Sequence, residues 1–145
     1  MIVFADSSAL VKLYADEPAH QLVRGLGSLV VSALARVEVP AAIWRKNRMG
    51  ELDPADAGIL VAAFEADYHG SAQDQPRFAV VAPTGPILET AARFVGVHGL
   101  RAHDAVQLAS ATAAAEAIPD CRTMAAFDGT LRAAAAKEGF ALLPG

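Results

Sequence analysis

Residues Ile2–Ala15 read "IVFADSSALVKLYA": four apolar residues, one acid, two serines, then apolar positions at helical spacing. The short apolar run fits a buried strand, and Leu10 with Leu13 or Tyr14 falls on one side of a helix. The chain thus opens as strand, acid, helix. Further along, apolar runs "SLVVS" (28–32), "RFAVVAP" (77–83), "CRTMAAF" (121–127) and "FALLP" (140–144) alternate with helical patterns. Strands separated by helices imply parallel pairing and an α/β sandwich.

The helices carry their own start and stop signals. Pro18 fits the start of a helix running to about Leu26, with Gly27 as its stop. Ser32 is placed to cap a helix reaching Met49 and stopped by Gly50. Pro40 lies inside it and removes one backbone hydrogen bond, which predicts a kink or a restart there. "DPADAGILVAAFEADYHG" has Asp53 as N-cap, Pro54 at the first helical position and Gly70 as its end. "ILETAARFVGVH" (87–98), "HDAVQLASATAAAEA" (103–117) and "TLRAAAAKE" (130–138) complete the set. There is no internal repeat and no linker, so residues 1–145 are expected to form one domain.

Composition narrows the function. Hydrophobic residues make up 54% of the 145 and charged residues 19%, which disfavours disorder. No apolar run approaches the roughly 20 residues of a membrane span, and the start lacks the basic and long apolar regions of a secretory signal. A cytoplasmic location without membrane contact is the expectation. A single cysteine, Cys121, excludes an internal disulfide, and four scattered histidines give little support to a histidine-ligated metal. The net charge of −4 argues against a surface that coats nucleic acid generally. It leaves room for a nucleic-acid enzyme whose acidic metal site accounts for several of the charges.

Four acids fall at comparable places. Asp6 follows the first strand, Glu38 lies in the first half of the helix after "SLVVS", Asp104 opens the helix "HDAVQLASA", and Asp128 follows "CRTMAAF". In open parallel sheets, ligands bind beyond the carboxyl ends of the strands. Each acid also has a plainer reading: Asp6 and Asp128 as cap or turn residues, Asp104 as a partner for its helix dipole, Glu38 as a solvated helix residue. Gathered near one sheet edge, four carboxylates would raise one another's pKa unless a cation sat among them, and a carboxylate-only site suits Mg²⁺ or Mn²⁺. Arg45, seven residues beyond Glu38, heads a basic cluster with Lys46 and Arg48; it fits either the phosphates of an anionic ligand or a helix C-terminus. Ser7 and Ser8 fit the Asp6 carboxylate or a helix cap. Tyr14 and Trp44 read as core or interface residues.

These stretches also carry a resemblance. "DSSALVKLYADE", "SALARVEVPAAIW", "LRAHDAVQLASA" and "FDGTLRAAAAKEGF" resemble, in order and spacing, the four acidic motifs of the PIN-domain ribonucleases, specifically the VapC toxins of bacterial toxin–antitoxin pairs. The resemblance implies a three-layer α/β/α sandwich with a central, mainly parallel sheet. It implies that Asp6, Glu38, Asp104 and Asp128 form a Mg²⁺-binding catalytic cluster, with metal-activated water cleaving RNA to leave a 5′-phosphate and a 3′-hydroxyl. An antitoxin protein and a homodimer are the implied partners. One departure stands out: Ala126 occupies the place, two residues before the last acid, where family members often carry Ser or Thr.

Other classes fit less well. A receiver domain needs a phosphoacceptor Asp ending a middle strand, and "FAVVAP" ends without an acid. The pair His103–Asp104 hints at an HD-type phosphohydrolase, which requires further histidines on an all-helical scaffold. Neither G-x-G-x-x-G nor a Walker A loop is present. A catalytically inactive PIN-fold module that binds metal or RNA is the remaining alternative.

Overall fold

The first unit forms as its sequence predicts, up to a point. In the computed structural model, which describes residues 1–145, strand β1 is Ile2–Ala5 and helix α1 is only Ser7–Leu10, continued by a 3₁₀ turn over Val11–Leu13. The helix expected over Ser7–Ala15 is therefore one regular turn that tightens at Val11. Helix α2, His20–Arg24, is shorter than expected as well, because Ala19 takes a left-handed φ of 67° before it and Gly25, not Gly27, caps it.

Strand β2 is Ser28–Ser32 and helix α3 is Ala35–Arg48. Ser32 does not cap α3. It ends the strand, and its hydroxyl accepts a hydrogen bond from the Leu34 N–H while Ala33 and Leu34 turn the chain. Nor does Pro40 restart the helix, which runs on across it with one fewer N–H available to its ladder.

Helix α4, Pro54–His69, has Asp53 accepting from the Asp56 N–H, the cap its sequence calls for. Strand β3 is Phe78–Val81, helix α5 is Gly85–His98, helix α6 is Ala102–Ala117, strand β4 is Thr123–Ala125, helix α7 is Gly129–Lys137 and strand β5 is Ala141–Leu143. No helix is long and apolar enough to cross a membrane.

The five strands form one sheet in the order β3-β2-β1-β4-β5, every neighbouring pair parallel. Alternation along the strands sends side chains to two apolar layers. Val3, Ala5, Leu29 and Val31 pack with Leu10, Val39, Ile43 and Phe64 on the side of α1, α3 and α4. Phe4, Val30 and Met124 pack with Phe94, Leu108 and Leu131 on the side of α5, α6 and α7. The result is a three-layer α/β/α sandwich. Tyr14 belongs to the first layer: its ring meets Phe64 edge-on at 5.7 Å and its hydroxyl donates to Asp67 Oδ2 at 2.6 Å.

The strand order fixes where a ligand would go. From β1 the chain moves outward through β2 to β3, then returns past β1 to β4 and out to β5. The direction in which successive strands are added thus reverses between the adjacent parallel strands β1 and β4, and the crevice beyond their carboxyl ends is the topological switch point.

Gly70 holds the turn that brings α4 back to β3. It sits at φ 74° and ψ −177°, where side chains are not tolerated, and a Cβ there would lie 2.8 Å from both Cδ and N of Pro76. Gly70→Ala is expected to lower stability by about 1–3 kcal/mol. Urea unfolding measures this; an unchanged midpoint would contradict the strain.

Candidate active site

Asp6 and Asp128 flank the switch point. Asp6 follows β1 directly, with its N–H donating to the Ala125 carbonyl of β4 at 3.1 Å, and Asp128 is the N-cap of α7 after β4. Asp6 also caps α1. Its Oδ1 accepts from the Ala9 N–H at 2.9 Å and from the Ser8 hydroxyl at 2.7 Å. Ser8 Oγ in turn accepts from the Phe127 N–H at 3.3 Å, tying the loop that carries Asp128 to the one that carries Asp6. The plainer readings of these two acids are therefore true as far as they go. Asp128 Oδ2 accepts from the Leu131 N–H at 3.0 Å.

The other two acids arrive on helices. Asp104, in the first turn of α6, is buried, and its Oδ2 accepts from Arg101 Nε at 3.3 Å and Nη2 at 3.2 Å. Glu38, in the first turn of α3, accepts at Oε1 from the Ser7 hydroxyl at 2.9 Å and from Gln107 Nε2 at 2.8 Å. All four acids line one cavity of about 400 Å³, together with Ser7, Ser8, Arg45, Arg101, His103 and Gln107. Ala42 is the one hydrophobic residue in its wall, so the cavity suits a charged ligand rather than an apolar one. A second cavity, of about 420 Å³ near Tyr14, Lys46 and Leu60, contains none of the four acids.

Asp6 is the most buried of the four, at 4% exposure. Burial is the main cause that pushes its carboxyl up to about 6; the hydrogen bonds from Ser8 and Ala9 pull it down, and the charges of Asp104 and Glu38 push it up again. The acids thus feel one another, and positive charge is drawn to them. Arg101, bonded to Asp104, also places Nη2 3.9 Å from Asp128 Oδ1, and His103 Nε2 lies 3.5 Å from Asp104 Oδ1.

As they stand, no three His, Cys, Asp or Glu side chains are close enough to share one metal ion. Mg²⁺ does not require such a cage: it keeps several waters and takes one or two carboxylates together with substrate phosphates. An all-oxygen donor set containing a carboxyl whose charge is disfavoured chiefly by burial, and further by two nearby acids, fits that ion by its chemistry. Ala126, where the sequence departs from the resemblance, is buried in the apolar layer beside α6 and α7 and does not line the cavity.

Residues 3–137 match the family model of the PIN domain. The chain belongs to the PIN-domain family. No curated protein matches this PIN domain in sequence. Its fold is similar to that of VapC20 from Mycobacterium tuberculosis, described as a sarcin-ricin loop cleaving toxin, with a TM-score of 0.63 and 18% identity over 91% of this chain and 94% of that one. It is also similar to FitAcB from Neisseria gonorrhoeae, with a TM-score of 0.59 and 17% identity over 98% and 96% of the two chains.

The sequence singles out the four acids, Ser7, Ser8 and Arg45 of this PIN domain, offers His103 only as part of a different, HD-type site, and leaves Gln107 and Arg101 unmarked. Gln107 was hidden by its surroundings, an otherwise apolar or small run that reads as core. The available signal was its spacing: three residues after Asp104, it shares that acid's helix face.

Proposed function

We propose that this PIN domain is a Mg²⁺-dependent endoribonuclease and the toxin of a toxin–antitoxin pair. The observation that carries the reading is that four acids, from four separate parts of the chain, line one polar cavity at the sheet's switch point. Asp6, Glu38, Asp104 and Asp128 would hold Mg²⁺, or Mn²⁺ in its place. The ion supplies, when bound, the positive charge that activates water and polarises the phosphodiester. Asp6 and Asp104 provide buried negative charge, while Ser7, Ser8 and Gln107 hold carboxylate oxygens in place. Arg45, Arg101 and His103 line the same cavity, where they would meet RNA phosphates.

The partners follow from the same reading: an RNA substrate, an antitoxin protein, and a second copy of the chain. Val37, Trp44 and Met49 are exposed apolar side chains on and just after α3, which a protein partner on that helix would cover.

The reading is tested by incubating the purified protein, freed of any partner, with RNA in Mg²⁺ and in EDTA. Cleavage in Mg²⁺ that EDTA abolishes, with 5′-phosphate ends on the fragments, is the expected result. Cleavage that is indifferent to EDTA would sink the metal-dependent mechanism. Metal binding with no cleavage of any RNA would favour the inactive binding module instead.

A further inference from the structure

Gln107 is the least expected side chain in the cavity. It is 2% exposed on α6, in a stretch otherwise built of Ala, Leu, Val and Ser. Its Nε2 donates to Glu38 Oε1 at 2.8 Å and to Ser7 Oγ at 3.1 Å, and the Ser7 hydroxyl donates to the same Glu38 oxygen at 2.9 Å. These three residues close a triangle across α6, α3 and α1. Both Gln107 contacts are thus made by the amide nitrogen, while its Oε1 is buried without a partner. The opposite amide orientation would set that oxygen against the Glu38 carboxylate, acceptor against acceptor.

Packing alone does not account for this arrangement. A Met or Leu of similar size would fill the space and strand no carbonyl oxygen, and an unsatisfied buried polar atom is unfavourable wherever it occurs. Charge supplies the reason. A Lys or Arg at this place would hold Glu38 by neutralising it, whereas an amide N–H orients a carboxylate and leaves its negative charge intact. We propose that Gln107 is a positioning residue for Glu38, fixing one carboxylate oxygen so that the charged group is presented to a divalent cation in the cavity. The proposal rests on the metal-binding reading of the pocket.

A double-mutant cycle tests it, with Mg²⁺ binding followed by calorimetry and stability by melting the metal-free protein. Gln107→Met is expected to weaken Mg²⁺ binding about tenfold, the usual scale for partners of metal ligands. It is expected to leave the metal-free melting temperature unchanged or higher, and to add nothing in a Glu38→Gln background. Gln107→Asn, polar but one methylene short, should lose affinity similarly, and it serves as the second variant if Gln107→Met does not fold. Wild-type affinity in both variants, or a tenfold loss that persists alongside Glu38→Gln, would overturn the proposal.

A lower metal-free melting temperature at unchanged affinity would overturn it too, by making Gln107 a structural pin. If the wild-type protein binds neither Mg²⁺ nor Mn²⁺, the metal reading itself fails. The role of Gln107 is then decided by carbon relaxation of the Glu38 side chain without metal: it should loosen in Gln107→Met, and unchanged rigidity counts against positioning.

Discussion

Asp6→Asn is expected to slow RNA cleavage in Mg²⁺ by about 100-fold or more, about 2.7 kcal/mol of barrier. The substitution removes charge and little else. Asn keeps a carbonyl oxygen where Oδ1 accepts from Ser8 and from the Ala9 N–H, so the α1 cap and the link through Ser8 to the Asp128 loop are preserved. Asp128→Asn should do less, because that side chain is 39% exposed whereas Asp6 is buried. The check is a comparison of initial rates at matched protein concentration, with circular dichroism confirming equal folding. A rate for Asp6→Asn within threefold of wild type would remove Asp6 from the catalytic group.

The same substitution has the opposite effect on stability. In the metal-free protein the Asp6 carboxyl sits at about 6, against about 3.8 unfolded, so between these values the folded state keeps a proton that the unfolded chain has released. Stability is therefore lost as pH rises through that window, by up to roughly 3 kcal/mol above pH 6. Asp6→Asn escapes this loss. In EDTA at pH 7.5 it is expected to melt roughly 10 °C above wild type, and the gap should close toward pH 4.

Mg²⁺ should stabilise the wild type, by about 2.7 kcal/mol at a hundredfold excess over Kd, and the variant much less. Melts at several pH values, with EDTA and with Mg²⁺, read both effects. A gain that does not depend on pH, or an equal Mg²⁺ increment in both proteins, would show that Asp6 is no ligand.

The strands and the acid positions were legible because both depend on local pattern. "SLVVS" is bounded by polar residues and forms β2 from Ser28 to Ser32, and the Asp53–Pro54 start and Gly70 stop delimit α4 as read. The early helices were not, because their ends depend on backbone choices that composition does not disclose. Ala19 adopts a left-handed conformation usually left to Gly, and Ser32 gives its hydroxyl to a turn instead of a helix cap. Pro40 predicts a kink or a restart of α3, and there is no restart: it sits only five residues after the first residue of the helix, which continues across it with Val39 and Ile43 packed in the core.

The site divides in the same way. Four acids beyond strand ends or on opening helical turns were visible as a pattern, whereas the bonds of Gln107 to Glu38 and Ser7 span 69 and 100 residues and exist only once the sheet is assembled.

The central claim is that these acids hold a divalent cation together, and a crystal soaked in Mn²⁺ tests it most directly through anomalous scattering. The account predicts a peak inside the cavity bounded by Asp6, Glu38 and Asp104, absent from Asp6→Asn crystals treated identically. A cavity without a peak at saturating Mn²⁺, or a peak that survives Asp6→Asn unchanged, would contradict it.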